Sequence, residues 1–137
     1  MGTQTSDILT QRDGSTEILT LNRPESLNAF TADMLDHLGW SLRSAAADPS
    51  CGAIVVTGAG DDSFCAGVDV NAIEALVASS HSSEDGSAED QKLTEFENLH
   101  LGLSQVVRTI HSVPVPVSLP STATRSVAAL LWRLRPT

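Results

Sequence analysis

The segment Ser63-Phe64-Cys65-Ala66-Gly67-Val68-Asp69-Val70 offers chemistry through its backbone more than through its side chains. It follows an apolar run, Ala53-Ile54-Val55-Val56-Thr57, that ends in Gly58-Ala59-Gly60. That pattern predicts a buried strand, a tight turn and a helix that Asp69 caps and that reaches about Val77. The first N–H groups of a helix have no intrahelical acceptor and sit at its positive pole. Donors fixed in this way suit a polarised carbonyl or a developing oxyanion.

Side chains to use such a site are scarce. Cys51 and Cys65 lie on either side of the apolar strand, and His37, His81, His100 and His111 are scattered, so no metal site is expected. A nucleophilic Cys65 beside a helix start is conceivable, but a small buried side chain next to Ala66 is the preferred reading. Asp69 is expected to cap a helix, since as a general base it has no apparent partner. Gly58-Ala59-Gly60 is not a dinucleotide fingerprint, because Ser63 stands where the third Gly belongs and no helix opens there. No nucleophile-elbow Ser motif is present.

The elements that must position this segment are local and regular. Ile8-Leu9-Thr10-Gln11-Arg12 and Thr16-Glu17-Ile18-Leu19-Thr20-Leu21 flank Asp13-Gly14, which predicts an antiparallel hairpin with Leu19 and Leu21 on one apolar face. Pro24 ends the strand pattern. Thr31 is a plausible N-cap, with Asp33 in the first turn. Met34, Leu35, Leu38, Leu42 and Ala45 then form a helical apolar stripe that should stop near Asp48-Pro49. Strand, helix and buried strand in that order predict a crossover unit with a parallel pair. Residues 78–92 are rich in Ser, Glu, Asp and Gly and read as a mobile surface loop. A helix from about Thr94 to His111 follows, with Phe96, Leu99, Leu103, Val106, Val107 and Ile110 on its apolar face. Val113-Pro114-Val115-Pro116-Val117 then points to another buried strand, but residues 118–137 show no strand alternation and end as irregular chain or a short helix.

Composition narrows the function. A chain of 137 residues can bury one modest core. A net charge of −9 argues against nucleic acid or an anionic membrane surface as partner. No apolar run is long enough to span a membrane, and Met1 to Asp7 do not form an export signal, so the cytoplasm is the expected location.

Four stretches together resemble the crotonase superfamily, the enoyl-CoA hydratase/isomerase family. They are Leu21-Asn22-Arg23-Pro24-Glu25-Ser26-Leu27-Asn28-Ala29, Val55-Val56-Thr57-Gly58-Ala59-Gly60, Phe64-Cys65-Ala66-Gly67-Val68-Asp69-Val70 and Pro114-Val115-Pro116-Val117. The resemblance covers residues 7–117. It implies an α/β fold, the N-terminal part of a spiral of ββα units that binds an acyl-CoA in fatty acid metabolism, as a lyase or isomerase. CoA is then part of the substrate and no separate cofactor is implied. By position, the Val68 backbone N–H matches one of two oxyanion-hole donors for the thioester carbonyl. The family usually has Ala there, a change that a main-chain donor tolerates. Arg23, Leu27, Ala29, Ala66, Val68 and Asp69 match positions lining the CoA crevice. Arg23 is either a charge-assisted phosphate donor or a solvated surface cation.

The departure from the family begins after Val117. A Gly-rich segment with the second oxyanion donor, and acid/base carboxylates in and beyond it, should follow the Pro-x-Pro-Val strand. Residues 118–137 are instead a non-homologous tail. A legal GC-rich back-translation of Val117 to Thr137, begun two bases later, reads V-A-A-V-N-G-H-A-V-G-G-G-S-A-L-A-L-A-A-D. That is the missing family segment. A frameshift near Val117 is therefore expected, in the gene or in its sequencing. The restored frame has Ala where many hydratases have Glu after the triple Gly. The last two bases of that codon are the first two of Leu131, which cannot encode Glu.

Three functions stay open on the sequence. They are a crotonase-family enzyme, or a truncated copy of one, acting on acyl-CoA through a stabilised enolate; a CoA-binding module without turnover; and a vestigial chain. The expected reading is a truncated family member that is catalytically incomplete. Uncovered apolar faces would favour self-association or association with an intact paralogue. Resequencing the gene across codon 117 should reveal a second open frame encoding the Gly-rich segment; unrelated bases in a single intact frame would defeat the frameshift.

Overall fold

The computed structural model describes residues 6–69, 74 and 87–119. Strands β1 (Ile8–Asp13) and β2 (Thr16–Leu21) form the expected antiparallel hairpin, with Ile8 opposite Leu21 and Asp13 opposite Thr16. Leu19 and Leu21 are fully buried, as the alternation requires. Pro24–Ser26 make a single 3-10 turn.

Helix α1 (Ala32–Ala47) starts where Thr31 Oγ1 accepts the Met34 N–H at 3.2 Å, which satisfies one orphan donor of the first turn. It stops before Asp48-Pro49, as expected. Its stripe of Met34, Leu35, Leu38, Leu42 and Ala45 is buried. The chain then enters β3 (Ala53–Gly58), which runs parallel to β2 with Leu21 beside Gly58. The crossover unit is thus present. Helix α2 (Ser87–Ser112) leads to β4 (Val117–Ser118), parallel to β3 through Ile54 and Val117, with the Ile54 N–H donating to Pro116 O at 2.9 Å. The sheet order is β1-β2-β3-β4, and one core joins the sheet to both helices through Phe30, Leu38, Ile54, Val56, Leu99 and Val106.

Two expectations about α2 need correction. Residues 87–92, assigned to the surface loop, already belong to the helix. Ser87-Ala88-Glu89-Asp90-Gln91-Lys92 carries no apolar stripe to announce a helix, yet Ala, Glu, Gln and Lys are good helix formers and acids suit its N-terminal end. Phe96 and Val107 do not belong to the core face, because both are exposed. Leu99 and Val106 are buried with Leu103 and Ile110 beside them, while Gly102 lets α2 approach so closely that a Cβ there would stand 3.2 Å from Leu35 Cβ. The helix is rolled toward that contact, and Phe96 and Val107 end up on its flank. The expected helix from Asp69 to about Val77 lies outside the described residues except at Glu74, as do residues 78–86 of the loop and 120–137 of the tail. Among the described residues no helix is long and apolar enough to cross a membrane.

The two ends of the parallel pair carry different polar work. At the amino ends, Arg12 joins the hairpin to the α1–β3 connection: Nη1 donates to Glu17 at 2.9 Å and Asp48 at 3.3 Å, and Nη2 to Ser50 at 2.9 Å. Hydrogen bonds from Ser50, before the charge of Arg12, hold the Asp48 carboxyl below its ordinary range. At the carboxyl ends, Gly58 is pressed against the following loop. A Cβ there would strike Phe64 O and lie 2.7 Å from Ser63 O and 2.8 Å from Asn28 Nδ2.

Cys65 is wholly buried, and burial pushes its thiol up from 9.0 to about 11. It is a small core side chain and not an activated nucleophile.

Gly58→Ala should cost about 3 kcal/mol in urea unfolding, because the obstructing atoms are backbone carbonyls that cannot swing aside. A raised thiol pKa favours the folded state below the unfolded value and that advantage is lost upward. Stability measured from pH 9 to 11 should therefore fall more steeply in the natural chain than in Cys65→Ala, with no difference in slope below pH 8.

Candidate functional site

The candidate site is built from the loops that leave the carboxyl ends of β2 and β3, at residues 22–30 and 59–69. Leu21 and Gly58 are register partners, so both loops start level with each other. Crevices outside the carboxyl ends of parallel strands are the usual ligand positions in α/β sheets.

Asn28 ties the loops together. Its side chain is 1% exposed and adopts φ +56°, a left-handed conformation that Asn tolerates better than most residues. Its Nδ2 donates to Ala59 O at 2.9 Å and Ser63 O at 2.8 Å, and its Oδ1 accepts the Arg23 N–H at 2.9 Å. Leu27 precedes it at φ +51°, is 47% exposed, and accepts the Ala66 N–H on its carbonyl at 3.0 Å. Its left-handed backbone closes the 3-10 turn, with the Leu27 N–H donating to Pro24 O at 3.1 Å.

Phe30 and Val68 form a parallel bridge. The Phe30 N–H donates to Gly67 O at 2.7 Å, and the Asp69 N–H donates to Phe30 O at 3.0 Å. No peptide bond is cis. In a planar trans peptide the carbonyl and the next N–H point in opposite directions. Because Gly67 O faces Phe30, the Val68 N–H faces away from it, and it has no acceptor among the described residues. Gly67 itself has φ +102°, which a side chain would resist.

Arg23 stands neither free at the surface nor extended toward solvent. Its Nη1 donates both to Ala29 O at 2.9 Å and to Asp69 Oδ2 at 3.0 Å, with the two side chains 18% and 10% exposed. Asp69 is thus in an ion pair that the sequence reading left out, and the helix it was to cap lies outside the described residues. Ala29 is buried, whereas Ala66 is exposed and Val68 half-buried. The six residues expected at the crevice do come together, on two facing loops. Sequence reasoning quoted Asn28 and Gly58 without giving either a role, and missed Phe30. The signal for Asn28 was an amide side chain directly after a Pro-containing turn, where left-handed backbone is common. Among the described residues no group of His, Cys, Asp or Glu is placed to hold a metal ion.

With this geometry in view, comparison with known proteins gives a consistent answer. The family described as enoyl-CoA hydratase/isomerase matches residues 16–115. The mitochondrial 3-hydroxyisobutyryl-CoA hydrolase of Danio rerio is 38% identical over 68 residues, covering 50% of this chain and 18% of that protein. The short-chain-enoyl-CoA hydratase of Clostridium acetobutylicum is 30% identical over 71 residues, covering 52% and 27%. Among solved structures, a carnitinyl-CoA dehydratase from Mycobacterium thermoresistibile superposes with a TM-score of 0.69 at 29% identity, over 84% of this chain and 30% of that one. An enoyl-CoA hydratase/carnithine racemase from Magnetospirillum magneticum gives 0.65 at 25%, over 85% and 39%. The chain spans well under half the length of these proteins. On the match over residues 16–115, and on a fold that supplies its crossover unit, this chain belongs to the enoyl-CoA hydratase/isomerase family.

Proposed function

We propose that the chain binds an acyl-CoA with the thioester carbonyl oxygen on the Val68 N–H, and that alone it does not turn the substrate over. The observation that carries this reading is the Val68 amide, which the Phe30–Gly67 hydrogen bond directs away from Phe30 and which has no acceptor among the described residues. A thioester that is losing an α-proton or gaining a nucleophile gathers negative charge on that oxygen. A donor already fixed in place stabilises the charge without reorganising. The relatives named above all act, by their names, on CoA thioesters. CoA enters as part of the substrate, so the reading requires no further cofactor.

Leu27 and Ala66 give the crevice an exposed apolar rim against which a nucleotide or pantetheine arm can lie. Arg23 is better suited to an internal role than to a CoA phosphate, since its Nη1 already serves two acceptors. Turnover needs a general acid or base within reach of the substrate. The carboxylate next to Val68 in sequence, Asp69, is engaged by Arg23, which makes it a poor proton shuttle. On the frameshift reading, the Gly-rich segment with the second donor would lie in the shifted frame beyond Val117, with Ala where many hydratases have Glu. A second reading, a non-catalytic partner of an intact paralogue, draws on Trp40 and Leu101, which are 62% and 59% exposed on the two helices.

Acetyl-CoA at about a hundredfold its Kd should stabilise the fold by about 2.7 kcal/mol and raise the melting temperature by on the order of 10 °C. An enoyl-CoA substrate should be hydrated no faster than in buffer. A melting temperature indifferent to every acyl-CoA tried would refute binding, and enzyme-level turnover by the purified chain would refute incompleteness.

A further inference from the structure

The Val68 peptide is aimed by more than its own loop. One nitrogen, Arg23 Nη1, bonds simultaneously to the carbonyl just before Phe30 and to the carboxylate just after Val68. These groups belong to the two short segments whose bridge directs the Val68 N–H away from Phe30. Among the described residues the bridge itself is made by the Phe30 N–H to Gly67 O and the Asp69 N–H to Phe30 O hydrogen bonds. Gly67 sits within it at φ +102°, and Cys65 Sγ accepts the Gly67 N–H at 3.3 Å and donates to Gly67 O at 3.6 Å, which holds the entry side of the peptide. With its entry side held by Cys65, the direction of the Val68 N–H still depends on what holds the exit side, after Val68. The Arg23–Asp69 pair holds it, across 46 residues of sequence.

We propose that Arg23 and Asp69 are positioning residues for the Val68 oxyanion donor, a role that rests on the acyl-CoA reading above. Arg23 clamps Ala29 O to Asp69 and so fixes the Gly67–Val68 peptide plane across the Phe30 bridge. Asp69 does not take a proton from the substrate, and Arg23 does not bind its phosphates. Their effect on the ligand passes entirely through the direction of one N–H. Removing the clamp should therefore spare affinity for CoA, which has no thioester carbonyl, and erode only the added affinity for acetyl-CoA.

The test compares the full chain with Asp69→Asn and with Arg23→Lys, using Arg12→Gln as a control at the opposite ends of the strands. Each is titrated with CoA and with acetyl-CoA by calorimetry, and the Val68 ¹⁵N–¹H resonance is followed. The natural chain should prefer acetyl-CoA about tenfold, the worth of one good hydrogen bond, and its Val68 resonance should move with acetyl-CoA alone. Asp69→Asn should bring the preference to about unity while CoA binding stays within about twofold. Arg23→Lys should retain part of it, because an ammonium keeps the charge but lacks the planar fork. Arg12→Gln should lower stability and leave the preference intact. A full preference in a folded Asp69→Asn or Arg23→Lys chain overturns the positioning role while the acyl-CoA reading stands. Absence of any preference in the natural chain overturns that reading and the positioning role with it. If Asp69→Asn fails to fold, Arg23→Lys alone decides.

Discussion

The carboxamide of Asn28 sits inside the protein with both faces of its hydrogen-bonding capacity committed to main chain. It gives its amide hydrogens to the carbonyls of Ala59 and Ser63 and takes the amide hydrogen of Arg23. A buried polar group left without partners is costly, so the two loops can move apart only by stranding several groups at once. Gly58 forms the floor beneath this side chain, and its lack of a Cβ is what allows the amide and two carbonyls to converge. The rest of the crevice inherits its geometry from that convergence.

From this anchor the backbone acts as a pointing device. Resonance makes each peptide a rigid plate. Securing one edge of the Gly67–Val68 plate to Phe30 settles where the other edge looks. A main-chain donor of this kind is insensitive to the identity of its own side chain. The cost is that its direction depends on distant pairings. A substitution far from Val68 can turn this N–H while every neighbouring side chain remains.

What the sequence disclosed and what it concealed divide along the same line. Thr31 as cap, the 34–45 stripe, the alternation around Leu19 and Leu21 and the turn at Asp13-Gly14 are all local patterns, and local patterns are what periodicity reports. Residues 87–92 were concealed because a polar helix start has no stripe. Phe96 and Val107 misled because a stripe's width does not say how a helix is rolled; the missing side chain at Gly102 does, and only once Leu35 is known to lie opposite. The site motif was legible as an ordered set of short stretches. The Arg23–Asp69 pair and the heading of the Val68 N–H were not, since both arise from contacts between loops whose meeting no spacing encodes.

The parallel pairing of β2 and β3 has a consequence for how this scaffold can change. The Arg12 cluster secures the hairpin at one extremity of these strands, and the loops of the candidate site occupy the other, with the apolar run of the sheet between them. Strength and selectivity therefore reside in separate neighbourhoods. Drift in the first alters how long the fold survives, and drift in the second alters what the candidate site presents. A lineage could exchange one crevice for another without renegotiating its foundations.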